Sequence, residues 1–257
     1  MAAVATLLGS RRALLALRRS LPRESGAHTV ACRTPAALRR LLATRLVDAV
    51  VINPLPALPP AVRELRASHP DLPIIAYAPF RPDDGALLAA CREASLAALA
   101  VEGVDDSVVG DLVSRHTMTA ARRRAMAEAP RVLRLAEPLQ RRTWDHLLGA
   151  VEKPVRTDSL ARQLQVSREH LSRQFGAGGA PNLKRVIDLT RIAAAAQLLR
   201  NPGMSAAIVV RVLHFASASH LSATARRIAG TGTSGLGALG PRGVLAAFVR
   251  GNTRSRA

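Results

Sequence analysis

The chain has 257 residues, 48% hydrophobic and 21% charged, enough for about two domains with real cores and too apolar for global disorder. Its formal net charge of +19 favours a polyanion, nucleic acid first and anionic membrane second. No apolar run approaches the ~20 residues needed to cross a bilayer, and Cys32 and Cys91 form neither a CxxC pair nor a disulfide framework, so a soluble, cytoplasmic protein is expected, with no membrane partner.

From the start, short apolar runs alternate with helical patterns. Ala3 to Leu8 reads as a strand and Arg11 to Leu21 as a helix. Arg11, Arg12, Arg18 and Arg19, with no acid in the first twenty residues, faintly resemble a transit peptide; an amphipathic first helix explains the same pattern. His28 to Cys32 reads as a strand, Pro35 to Leu46 as a helix, and Val47 to Ile52 as a buried strand ended by Asn53-Pro54. Ala61 to Ser68 is helical, Leu72 to Tyr77 a strand, Ala86 to Ala94 helical, Leu96 to Val101 a weak strand, and Asp106 opens a last helix. Strand–helix alternation over residues 1–115 predicts an α/β domain, a flavodoxin-like five-stranded parallel sheet covered on both faces.

Residues 116–138 read as a helical connector, and the run Arg122-Arg123-Arg124 as a solvated face or, less simply, a DNA-phosphate contact. From 139 to 230 the pattern is all helical. Residues 231–257 are Gly-rich and predict a flexible tail, with a short apolar helix at Val244 to Val249.

Within 139–230, two segments read as helix-turn-helix units. In the first, Thr157 or Asp158 can cap a helix through Leu164, Val166 fills the turn, and Ser167 can cap the second helix. Leu160, Leu164 and Leu171 face inward, while Arg168, Glu169, Ser172 and Arg173 face out. Arg pairs in bidentate fashion with guanine in the major groove, and Ser serves either partner. The second unit runs from Ser205 to Arg227. Only Lys153 and Lys184 are lysines, and a GC-rich coding sequence would write the same Arg and Ala excess, so charge matters here chiefly because it sits on this frame.

These residues resemble the DNA-binding domain of the AraC/XylS family of transcription regulators. Leu160-Ala161, Val166-Ser167, His170-Leu171-Ser172-Arg173 and Phe175 match its first unit. Ser205, Val209, Leu213, Phe215, Ser217, Ser219-His220 and Arg226-Arg227, closed by Gly230, match its second, and Leu183 to Arg200 resembles the joining helix. The resemblance implies that Ser167, Arg168, Glu169, Ser172 and Arg173 meet DNA from the first unit, and Ser217, Ala218, Ser219, Ser222, Ala223, Arg226 and Arg227 from the second. Gln165 and His214 stand where the turns usually carry Gly, and Val210 replaces a small residue at the helix crossing. Leu221 and Ala225 replace aromatic core residues, and Ala223 can meet only a thymine methyl. The first unit is therefore expected to read bases, and the second to grip phosphate through Arg226 and Arg227.

Residues 3–115 resemble a response-regulator receiver domain by pattern, without its chemistry. Leu7-Leu8-Gly9-Ser10 stands where magnesium-binding acids follow the first strand, and Asn53 where the phosphoacceptor aspartate ends the third. Ala78 replaces the switch hydroxyl, and no lysine follows the fifth strand. The expectation is a regulator and not an enzyme, with no cofactor and no metal. Its partners would be double-stranded DNA, a second copy through the N-terminal domain, and RNA polymerase. One alternative is a protein-interaction module whose helix-turn-helix domain has lost DNA binding. Another, an enzyme, would need a polar cluster at the strand C-termini, which Ser10, Asn53 and Ala78 hardly supply.

Overall fold

The computed structural model describes residues 3–23, 26–152 and 154–254. The chain divides into two compact units, one running through Ala121 and including Asn201–Gly203, the other Arg122–Arg200 with the chain from Met204 on.

In the first unit β1 (Ala3–Leu7), α1 (Arg11–Ser20), β2 (His28–Ala31), α2 (Pro35–Thr44), β3 (Val47–Ile52), α3 (Pro60–Ser68), β4 (Ile74–Ala78), α4 (Gly85–Glu93), β5 (Ala98–Val101) and α5 (Val109–His116) alternate. The strands form one parallel sheet in the order β2-β1-β3-β4-β5, the flavodoxin-like order. Caps set several helix starts: Ser10 Oγ accepts from the Ala13 amide, and Thr34 Oγ1 from the Ala37 amide. One sheet face (Val4, Ala49, Val51, Ile75, Tyr77, Ala100) packs on Ala13 and Leu17 of α1 and Val109 and Val113 of α5. Strand residues alternate between faces; the intervening residues Val50, Ile52 and Ile74 are also buried, and Leu38, Leu42, Val62, Leu65, Leu87 and Cys91 give α2, α3 and α4 their apolar faces.

Helix α1 meets α5 at Gly110. A Cβ there would fall 2.2 Å from the Ser20 carbonyl carbon and oxygen, and the Gly110 amide donates to Ser20 Oγ at 2.9 Å. The last helix starts at Val109, not at Asp106. Asp105 and Asp106 instead fold back, accepting from the amides of Val101 and Gly103. Acceptance by a side chain favours a turn over a helix start here.

The second unit is helical. Helix α6 (Met118–Ala125) enters it, followed by α7 (Ala129–Val132), α8 (Pro138–Gly149), α9 (Thr157–Gln163), α10 (Arg168–Gly176), α11 (Leu183–Leu198), α12 (Ala206–Val212), α13 (Ala218–Ala229) and α14 (Thr233–Arg254). Helix α11, about 24 Å long at 1.5 Å per residue, is the hub: Val186, Leu189, Ile192 and Ala193–Ala196 are all buried. Trp144 of α8 is buried in this unit.

Two expectations are corrected here. The run Arg122–Arg124 is not wholly a solvated face: Arg122 is 2% exposed, its guanidinium donating to the Leu148 carbonyl and to Gln197 Oε1. The glycine-rich stretch from 231 is not a loose tail but α14, bent where Gly240 takes φ 58° before Pro241. Its Leu236, Val244, Leu245 and Phe248 are buried against the core. Burial of these four side chains, each gaining about 1.5–3 kcal/mol, outweighs the ~1 kcal/mol that each helical glycine costs. Residues 255–257 of the expected tail lie outside the described residues. Among the described residues no helix is long and apolar enough to cross a membrane.

Candidate nucleic-acid interface

Helices α9 and α10 form one unit and α12 and α13 a second, and both turn in the same way. In the first, the Val166 amide donates to the Ala161 carbonyl (3.0 Å) and the Gln165 amide to that of Arg162 (3.1 Å). In the second, Phe215 donates to Val210 (2.9 Å) and His214 to Arg211 (3.2 Å). This is the Schellman closure, which needs a left-handed residue after the helix. Gln165 (φ 59°) and His214 (φ 50°) supply it without being glycine. The second turn is one residue longer, with Ala216 between Phe215 and the cap Ser217.

The caps divide. Ser167 Oγ accepts from the His170 amide, Ser217 Oγ from His220, and Ser205 Oγ from Ile208, each at 3.0–3.3 Å. Thr157 and Asp158 do not cap α9. Arg156 is the extended residue before it, without a side-chain bond, so both candidates already lie inside the helix. Asp158 turns instead to Arg168, 3.4 Å away across the turn. The pair is more than half exposed and is worth at most about 1 kcal/mol.

Ser167, Arg168, Glu169, Ser172 and Arg173 are exposed, while Leu171 and Phe175 on the opposite face are buried. On α13, Ala218, Ser219, Ala223, Arg226 and Arg227 are exposed, as is the cap Ser217, and Ser222 is half-buried; Leu221, Thr224, Ala225 and Ile228 fill the core. Leu221 and Ala225 thus occupy their inward positions without an aromatic ring. Val210 is half-buried where Ala161 is 2% exposed, so the larger side chain lies toward the rim. Arg227 is engaged: its Nη2 donates to Asp188 Oδ2 of α11 at 2.7 Å. The glycines after Phe175 end α10, with Gly178 and Gly179 at φ 66° and 77°.

Arg191 of α11 carries a role that the sequence did not assign. It is 6% exposed, its Nη2 donates to the carbonyls of Leu213 (2.7 Å) and His214 (3.3 Å), and its guanidinium lies 4.0 Å from the centre of the Phe215 ring. It thereby satisfies carbonyls that the end of α12 leaves open. Burial pulls its pKa down, and Asp188 partly offsets this. The signal in the sequence was the pair Arg191-Ile192 within the resemblance to the joining helix. In the first unit Gln140 plays a comparable part: its Nε2 donates to the Gln174 carbonyl while its Oε1 accepts from the Glu137 amide.

Residues 160–234 match the family model described as a helix-turn-helix domain. That stretch is an AraC-type helix-turn-helix domain. No curated protein matches the chain. Similar solved structures include full-length FixJ from B. japonicum, 12% identical over 72% of this chain and 94% of that one (TM-score 0.38), and the RcsB response regulator of Salmonella typhimurium, 15% identical over 73% and 98% (TM-score 0.36). Likenesses this low carry no weight, and the α/β fold stands on strand order and parallel pairing. The helix-turn-helix domain holds both units, with α8 before it and most of α14 after it. Joined to an α/β unit of flavodoxin-like strand order, it makes the chain a DNA-binding transcription regulator.

A second missed feature lies at the C-terminal edge of the sheet, where a polar cluster does exist. Ser10 Oγ donates to Glu102 Oε1 at 2.8 Å, and the Tyr77 hydroxyl donates to Asp106 Oδ1, with Arg12 3.7 Å from Oδ2. The Tyr77 hydrogen bond and the Gly103 amide hold Asp106 below the usual carboxylate range. Burial and the adjoining Asp106 push the Tyr77 phenol up. These carboxylates bond to their neighbours and brace the loop after β5. The signal was the run Glu102 to Asp106 with its three acids. Asn53 sits just past β3, its Oδ1 accepting from the Leu55 amide at 2.9 Å.

Proposed function

We propose that the protein is a sequence-specific, AraC-type regulator whose receiver-like unit works without aspartyl phosphorylation. The observation that carries the reading is the repeated unit: two identically closed turns on one spacer, each followed by a helix with a polar exposed face. Two such helices can enter successive major grooves, about 34 Å apart. Arg173 supplies base readout, with Ser172 and Glu169 beside it, and Ser167 and Arg168 lie at the helix start, where phosphate is favoured. In the second unit Ser217, Ser219, Ser222 and Arg226 carry the polar contacts, Ala218 and Ala223 offer only methyl contacts, and Arg227 reaches DNA by sharing itself with Asp188. The phosphorylation-free reading rests on Asn53 and Ala78 at the two positions where receiver chemistry needs a carboxylate and a hydroxyl. A second copy of the chain, bound through the α/β unit, and RNA polymerase are its protein partners.

A protein-interaction module is the second reading, favoured by the two ion pairs that occupy Arg168 and Arg227. Duplex binding separates them. Binding should weaken steeply with salt, and Arg173→Ala should relax preference at one base pair by ~1–3 kcal/mol. A flat salt dependence removes the DNA reading; an equal loss on every sequence removes base readout by Arg173.

A further inference from the structure

A cavity of about 440 Å³ opens where α11, α13 and α14 meet. Lys184, Arg185 and Arg227 bring three cations to it and Asp188 one carboxylate, leaving an excess of two positive charges over an apolar floor of Ile228 and Phe248. The cations are held in distinct ways. The Arg185 guanidinium lies 4.9 Å from the centre of the Phe248 ring, and Arg227 is held by Asp188, whose side chain is 15% exposed. Three cations against one carboxylate in the lining favour an anion there.

Its position on α13 selects the anion. Ser219, Ala223 and Arg227 follow one another at four-residue intervals and share a helix face. From Ser219 to Arg227 the helix advances about 12 Å, close to the ~12 Å width of the major groove. A helix that meets base edges at its first turns therefore brings Arg227 and the cavity to the bordering backbone. The geometry points to this cavity as the seat of one backbone phosphodiester of the bound duplex, the phosphate between Lys184, Arg185 and Arg227. This rests on the DNA-binding reading above and assigns the second unit its clamp. Asp188 sets the strength of the clamp by competing with the phosphate for Arg227.

The test uses the full-length protein and duplex DNA across a salt series. Lys184→Gln should weaken binding severalfold and lower the slope of log affinity against log salt by about 0.9, the contribution of one phosphate. Asp188→Asn, which keeps a hydrogen bond to Arg227 but frees its charge, should tighten binding severalfold. Arg63→Gln on α3 makes the same net charge change as Lys184→Gln and should leave the slope unaltered. Thermal unfolding of each variant checks that the fold is kept. If wild type binds duplex and neither Lys184→Gln nor Asp188→Asn moves affinity or slope, the seat is refuted while the function stands. No duplex binding by wild type overturns both. A stabilisation by inorganic phosphate that Lys184→Gln abolishes, with duplex affinity unchanged, assigns the cavity to a free phosphate ligand and also overturns the seat.

Discussion

Replacing Arg191 by methionine should loosen the second helix-turn-helix unit and spare the first. The side chain makes a charge-assisted bond to the Leu213 carbonyl and a longer one to that of His214, and it stacks on Phe215. Such a bond is worth about 1.5–3 kcal/mol, and a desolvated cation over an aromatic face about 1–2 kcal/mol. Two terms act the other way. Methionine fills much of the space, and it removes the cost of burying a guanidinium whose Nε has no partner. The expected net loss is about 2–3 kcal/mol. Arg191→Lys should fall between, because an ammonium cannot reproduce the planar stack or the fork. Amide hydrogen exchange resolves the two units in the full-length chain. At 2 kcal/mol, amides of α12 and α13 should exchange about 30-fold faster, with α9 and α10 unchanged. Equal exchange in both proteins, or loosening spread evenly over both units, would show that the Leu213 and His214 carbonyls do not depend on Arg191.

Two further outcomes are expected. Gln165→Gly and His214→Gly should each stabilise the helical unit by about 0.5–1 kcal/mol, since glycine relieves a left-handed strain of about 1–2 kcal/mol and returns part of it as chain entropy; Trp144, the single tryptophan, reports the shift in melting, and a loss of stability in either variant contradicts the reading of that turn. A carboxylate depressed on folding stabilises above its unfolded pKa and yields that stability as pH falls through its folded value, so the α/β unit should weaken below about pH 4, and Asp106→Asn should flatten the loss; near-ultraviolet dichroism of Tyr77, the single tyrosine, follows it, and an unchanged acid limb in the variant excludes Asp106 as its source.

What was legible in the sequence was local. Alternating apolar runs marked the five strands and their helices, and the parallel order follows because right-handed crossovers leave few other windings. Ser167 announced a helix start, because a cap depends on backbone within a few residues; the left-handed turns at Gln165 and His214 were marked only through the family resemblance. What only the tertiary structure decided concerns groups whose partners are remote in sequence. Arg122 reads as part of a solvated face until the Leu148 carbonyl comes within reach, and Arg191 has no assigned role until the Leu213 carbonyl does. Arg227 reads as a free phosphate grip until Asp188, on another helix, takes it. The stretch after Gly230 reads as a flexible tail because glycine disfavours helix locally; as α14 it buries Leu236, Val244, Leu245 and Phe248. Local propensity is written in neighbouring residues, whereas burial and charge pairing depend on what the fold brings alongside.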